Sequence, residues 1–96
     1  MVLITDNLHK LPLKPGELKF QKPIKAYEIV HSKRYWQFLV VLENKSTNKR
    51  TVALRKYERY ESEGEDNPWK RRANFTINSN KNLEKIVEAL MGIKLK

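Results

Sequence analysis

The segment Tyr35-Trp-Gln-Phe-Leu-Val-Val-Leu42 constrains the fold more than any other part of the chain. Its even positions, Trp36, Phe38, Val40 and Leu42, are wholly apolar, whereas Tyr35, Gln37, Leu39 and Val41 are mixed. Side chains of an extended chain alternate between two faces, so this pattern describes a strand with one face that must be covered. Its neighbours read the same way. Ile24–Ser32 is rich in β-formers and follows Pro23, Arg50–Tyr60 forms a third strand and Lys70–Asn78 a fourth. Asn44–Lys49 reads as a polar hairpin loop, and Glu61–Pro68 as an acidic, turn-rich one. After Asn78-Ser-Asn80, which offers N-cap oxygens, Leu83, Ile86, Val87 and Leu90 recur at i, i+3, i+4 and i+7, and Gly92 supplies a stop. The expected fold is α+β, a four-stranded antiparallel sheet followed by an amphipathic C-terminal helix that lies on the apolar face of the second strand.

Residues 1–19 read as an arm. Leu11-Pro-Leu-Lys-Pro-Gly16 favours extended or turn backbone, and Val2-Leu-Ile4 has the composition of a short added strand. Residues 20–96 make the domain, and 96 residues suffice for one only. A chain this short makes a modest core. The helix stripe Leu83, Ile86, Val87, Leu90, extended by Met91, therefore reads as an interface with a second copy.

Charge narrows the partner. Lys and Arg number 20 against 11 acids, a net charge of +9, which draws polyanions, nucleic acid first. Cysteine is absent, which excludes disulfides, zinc thiolates and a Cys nucleophile. The longest apolar run, Phe38–Leu42, falls far short of the roughly 20 residues of a membrane span, and no secretory signal is visible, so the expected setting is intracellular, in cytoplasm, nucleoid or nucleus. His9 and His31 lack companion ligands, the acids Glu58, Glu61, Glu63, Glu65 and Asp66 lie mostly in one turn, and the glycines are scattered. No catalytic set, metal or cofactor is expected.

Parity within each strand sorts the remaining residues. A basic and aromatic face is expected from Lys25 and Tyr27, Tyr35 and Gln37, Arg55, Tyr57 and Arg59, and Lys70 and Arg72. Cations interleaved with aromatics suit single-stranded nucleic acid, because Lys and Arg neutralise phosphates while rings stack on unpaired bases.

The run Thr51-Val-Ala-Leu-Arg-Lys-Tyr-Glu-Arg-Tyr60, then Glu-Ser-Glu-Gly-Glu-Asp-Asn-Pro68, Trp-Lys-Arg-Arg72 and Asn-Phe-Thr-Ile-Asn78, resembles the single-stranded-DNA-binding domain of the positive cofactor four family of transcriptional coactivators. The resemblance is specific over residues 51–90, and a Whirly-like variation on the architecture is related to it. It implies a curved four-stranded sheet, a homodimer and contact with the transcription machinery. It also implies contacts around Arg55, Tyr57 and Arg59 and at the basic start Lys70-Arg-Arg72. The family's Trp after the third-strand Tyr is replaced here by Glu58-Arg-Tyr60, and residues 1–19 have no counterpart. The expected function is single-stranded DNA binding without catalysis. Lys25, Lys33, Arg34, Arg55, Arg59, Lys70 and Arg72 would hold phosphates, and Tyr27, Tyr35, Tyr57 and Trp69 would stack on bases. The competing readings are an RNA-binding or ribosome-associated module using the same face, and a protein-interaction domain whose basic face docks an acidic partner.

Overall fold

The sheet has five strands rather than four. In the computed structural model, which describes residues 2–60 and 68–93, β1 (Val2–Ile4), β2 (Gln21–His31), β3 (Tyr35–Asn44), β4 (Arg50–Arg59) and β5 (Trp69–Ile77) pair antiparallel in that order. The expected acidic loop, apart from Pro68, and residues 94–96 lie outside the described residues. The added strand, β1, joins the free edge of β2, with Leu3 opposite Tyr27. A 3-10 turn (Leu8–Lys10) and a short helix α1 (Pro15–Leu18) connect β1 to β2, and helix α2 (Asn80–Met91) follows β5.

Local chemistry sets the turns. Ser32 and Tyr35 close a tight β2–β3 turn, the Ser32 amide donating to the Tyr35 carbonyl at 2.8 Å and the Tyr35 amide to Ser32 Oγ at 3.0 Å. In the β3–β4 loop Asn44 Oδ1 accepts from the amides of Ser46 and Thr47 at 2.9 and 3.0 Å, and Asn48 takes the left-handed conformation at φ 60° that Asn tolerates. Ser79 caps α2, its Oγ accepting from the Asn82 amide at 3.1 Å.

The apolar face of β3 is covered, but not by the C-terminal helix. Trp36, Phe38, Val40 and Leu42 are buried together with Leu11 and Leu13 of the N-terminal segment, and Ile4, Leu8 and Leu18 pack against this cluster. Helix α2 buries none of its residues. The expectation that it covers this face is corrected by what the N-terminal segment supplies. Its prolines hold the chain extended, as at Lys14 (φ −73°, ψ 144°), so it crosses the sheet with Leu11 and Leu13 turned inward. The segment read as an arm thus completes the core.

A buried ion pair fastens this cover. Arg55 is only 5% exposed, and its Nη1 donates to Glu17 Oε2 of α1 at 2.8 Å while its Nη2 donates to Glu17 Oε1. Arg55 Nε donates to Asn74 Oδ1 at 3.0 Å. Burial alone would lower the guanidinium's pKa, but the Glu17 carboxylate outweighs it and holds the group above its ordinary value. Removing the carboxylate leaves a cation stranded in the interior. Glu17→Ala is therefore expected to cost roughly 2–4 kcal/mol in urea unfolding, and Glu17→Leu combined with Arg55→Met to cost clearly less than Glu17→Ala alone. Equal losses would show that an unpaired Arg55 cation is not the source of the cost.

Candidate nucleic-acid interface

Register decides which side chains share a face. Glu43 lies opposite Arg50, so each even residue of β3 faces an odd residue of β4. Phe38 is therefore paired with Arg55 and Trp36 with Tyr57, on the covered side. This relocates four expected site residues, Arg55, Tyr57, Arg59 and Trp69. Arg55 and Tyr57 are buried, and Tyr57 stacks on Phe38 with ring centroids 5.5 Å apart and planes 6° from parallel. Burial pushes the Tyr57 hydroxyl up from its ordinary pKa, with Arg55 offsetting part of the rise. Neither side chain is presented to a strand in this arrangement. Trp69 and Arg59 belong to the same side of the sheet. The indole of Trp69 meets that of Trp36 edge-on at 5.5 Å, and His31 stacks flat on Trp36 at 4.1 Å.

Among the described residues nothing covers the opposite face. Five rows cross it: Tyr35, Glu58 and Lys70; Val30, Gln37, Lys56 and Ala73; Tyr27, Leu39, Leu54 and Phe75; Lys25, Val41, Val52 and Ile77; then Lys22, Glu43 and Arg50. Bulges re-phase the outer strands. Ile29 is the extra residue in β2 between Glu28 and Val30, and Arg72 is the extra residue in β5 opposite the Lys56–Tyr57 step. Sequence parity alone puts Arg71 with Ala73 and Phe75, whereas the bulge turns Arg71 to the covered side beside Tyr57.

On this open face cations and rings alternate. Lys56 Nζ lies 4.9 Å from the Tyr35 ring centroid, Arg34 lies 5.6 Å from the same ring, and Lys25 Nζ lies 5.8 Å from that of Tyr27. Phe75 is 55% exposed, an unusual position for a bare phenyl ring on a strand. Lys33 and Arg34 stand exposed at the tip of the β2–β3 turn, beside Tyr35. Of the expected set, Lys25, Tyr27, Lys33, Arg34, Tyr35, Lys70 and Arg72 are gathered on this face or its rim. Lys56 and Phe75 join them and were not anticipated. The signal for both was the register, which the length of the β3–β4 loop sets.

Glu58 restrains the basic end. Its Oε2 lies 3.5 Å from Arg34 Nε and its Oε1 accepts from Arg72 Nη2 at 3.4 Å, while the Arg72 guanidinium rests 4.9 Å from the Tyr60 ring. Partial withdrawal from water pushes the Glu58 carboxyl up, but the Tyr35 hydrogen bond and the two guanidinium groups outweigh this and hold it below its usual value. The clamp is therefore complete above the ordinary carboxyl pKa and is lost as pH falls through the lowered one. At neutral pH, Glu58→Gln is expected to release both arginines and tighten binding of a short oligothymidylate about two- to threefold at low salt. An unchanged affinity in a fluorescence-anisotropy titration would mean that the clamp does not limit them.

Helix α2 leaves Val87, Leu90 and Met91 exposed, with Leu83 and Ile86 half-buried. Among the described residues no three His, Asp or Glu side chains gather as a metal site would require, and no helix is long and apolar enough to cross a membrane. Comparison of the chain with protein-family models, with curated proteins and with solved structures finds no match.

Proposed function

We propose that the protein is a non-enzymatic single-stranded DNA-binding protein whose uncovered sheet face carries the strand. The observation behind this reading is the alternation of Lys56, Arg34 and Lys25 with the rings of Tyr35 and Tyr27 on a face that no described residue covers. Phosphates are held by Lys25, Lys33, Arg34, Lys56, Lys70 and Arg72, and bases stack on Tyr27, Tyr35 and Phe75. Arg55 and Tyr57 hold the cover instead of the strand. The six residue steps from Tyr35 to Val41 give a track of roughly 20 Å, enough for a few nucleotides. A duplex keeps its base faces hidden and gains only the charge term. The net charge of +9 and the resemblance of residues 51–90 to the positive cofactor four family support the same reading. The role that follows is coactivator-like, or protection of melted DNA.

Titration of a labelled 15-base strand tests it. Tyr27→Ala and Phe75→Ala are each expected to cost about 1–3 kcal/mol of binding, the usual range for loss of one stacked base. Lys56→Ala should flatten the log–log salt dependence by about 0.7, the contribution of one phosphate contact on a single strand. Equal affinity for strand and duplex, unmoved by the ring substitutions, would leave only a basic surface. Tighter binding of RNA of the same sequence would shift the assignment to RNA.

The second part of the proposal is a homodimer through α2. The stripe Leu83, Ile86, Val87, Leu90 and Met91 lies along a helix of 12 residues that buries none of them. Sedimentation equilibrium at micromolar concentration is expected to return twice the chain mass, and Leu90→Asp to return the chain mass itself with the circular-dichroism spectrum retained. A wild-type monomer would overturn this part alone.

A further inference from the structure

A cleft opens at the far end of the uncovered face, with a volume of about 720 Å³. This is within the roughly 300–1,000 Å³ of small-ligand sites. Its floor is apolar, made by Val41, Val52 and Ile77, with the Tyr27 ring at one side. Lys25 of β2, Lys49 at the end of the β3–β4 loop and Arg50 at the start of β4 line it. Asn80 and Leu83, in the first turn of α2, close its outer side.

Two features separate this cleft from the rest of the track. The first is the setting of the charge. Three cations line one concavity here, whereas at the opposite end Lys33 and Arg34 stand exposed on a turn and Arg34 and Arg72 are engaged by Glu58. Arg50 pairs with Glu43 at 3.4 Å and in the open, an exchangeable pair. The second is the wall. A strand running from Tyr35 past Tyr27 meets Asn80 and Leu83, so the face is bounded at that end.

We propose that this cleft seats the phosphorylated end of the single strand, the terminal nucleotide stacking on Tyr27 and its phosphomonoester meeting Lys25, Lys49 and Arg50. The inference rests on the single-strand reading and adds a polarity to it. An internal phosphodiester carries one negative charge. A terminal monoester carries close to two at pH 7, with its second pKa near about 6. That is the ligand a three-cation cleft prefers. A free nucleoside monophosphate presents the same chemistry, and the test separates the two sources.

Twelve-base strands of one sequence, labelled at one end, are compared with a 5′-phosphate, a 3′-phosphate or hydroxyls at the unlabelled end. One of the two phosphorylated strands, not both, is expected to bind about tenfold tighter than its hydroxyl counterpart, the effect of an added charge-assisted contact. Lys49→Ala combined with Arg50→Ala should erase that difference, and lowering the pH to about 5 should shrink it. Strands that bind but do not distinguish their ends would overturn the inference and leave the single-strand reading standing. Equal tightening by both phosphates would also overturn it, since added charge alone does that. Absence of strand binding altogether would overturn the reading beneath it. Nucleoside monophosphate bound under those conditions would make the cleft a mononucleotide site and refute the strand end as its ligand.

Discussion

A guanidinium withdrawn from water must have its donors met, and nearly everything else in this structure is arranged around meeting those of Arg55. Glu17 takes two of its N–H groups and Asn74 a third. That requirement draws α1 onto β4 and sets Leu11 and Leu13 over Phe38, Val40 and Leu42. Once this side is occupied, the other side of the same sheet is the one left for a partner. An aliphatic residue in place of Arg55 would pack as well, but would not specify where the N-terminal segment sits.

The uncovered face is unusual for an antiparallel sheet. Such sheets commonly turn one polar face to water. Here two successive rows carry Leu39 and Leu54, then Val41 and Val52, with cations near the Tyr35 and Tyr27 rings. Apolar rows beside cations and rings suit a ligand that is both planar and anionic. The Glu58 clamp fits the same picture. It holds Arg34 and Arg72 against the rim as exposed ion pairs that an anionic ligand has to displace.

Much of the architecture was legible in the chain. The alternation of residues 35–42 identified β3 and its buried side, and the Ser79 cap and the Leu83–Leu90 spacing identified α2. What stayed hidden depended on relations between segments. Parity orders the side chains of one strand but says nothing about the next, and the opposition of Glu43 to Arg50 reversed the expected side for Arg55 and Tyr57. The bulges at Ile29 and Arg72 interrupted parity within β2 and β5, with no Gly to announce either. The prolines of residues 11–16 read as a tether because they exclude regular structure, yet an extended chain needs no regular structure to cover a core. A lone buried Arg with a partner 38 residues away has no local signature at all.

The order of the strands also gives the chain a history. Neighbours in the sheet are neighbours in sequence, so β2 with β3 and β3 with β4 pair by closing short loops, and such contacts come early. The cover is the exception. Leu11 and Leu13 are made before any of the strands they lie on except β1, and Glu17 must wait for a cation 38 positions downstream. The apolar N-terminal segment thus has a surface to cover once β2 and β3 exist, but no clasp until β4 does. The clasp closes a longer loop than any strand pairing of the sheet, and a chain in which it is open bares apolar surface to its own copies.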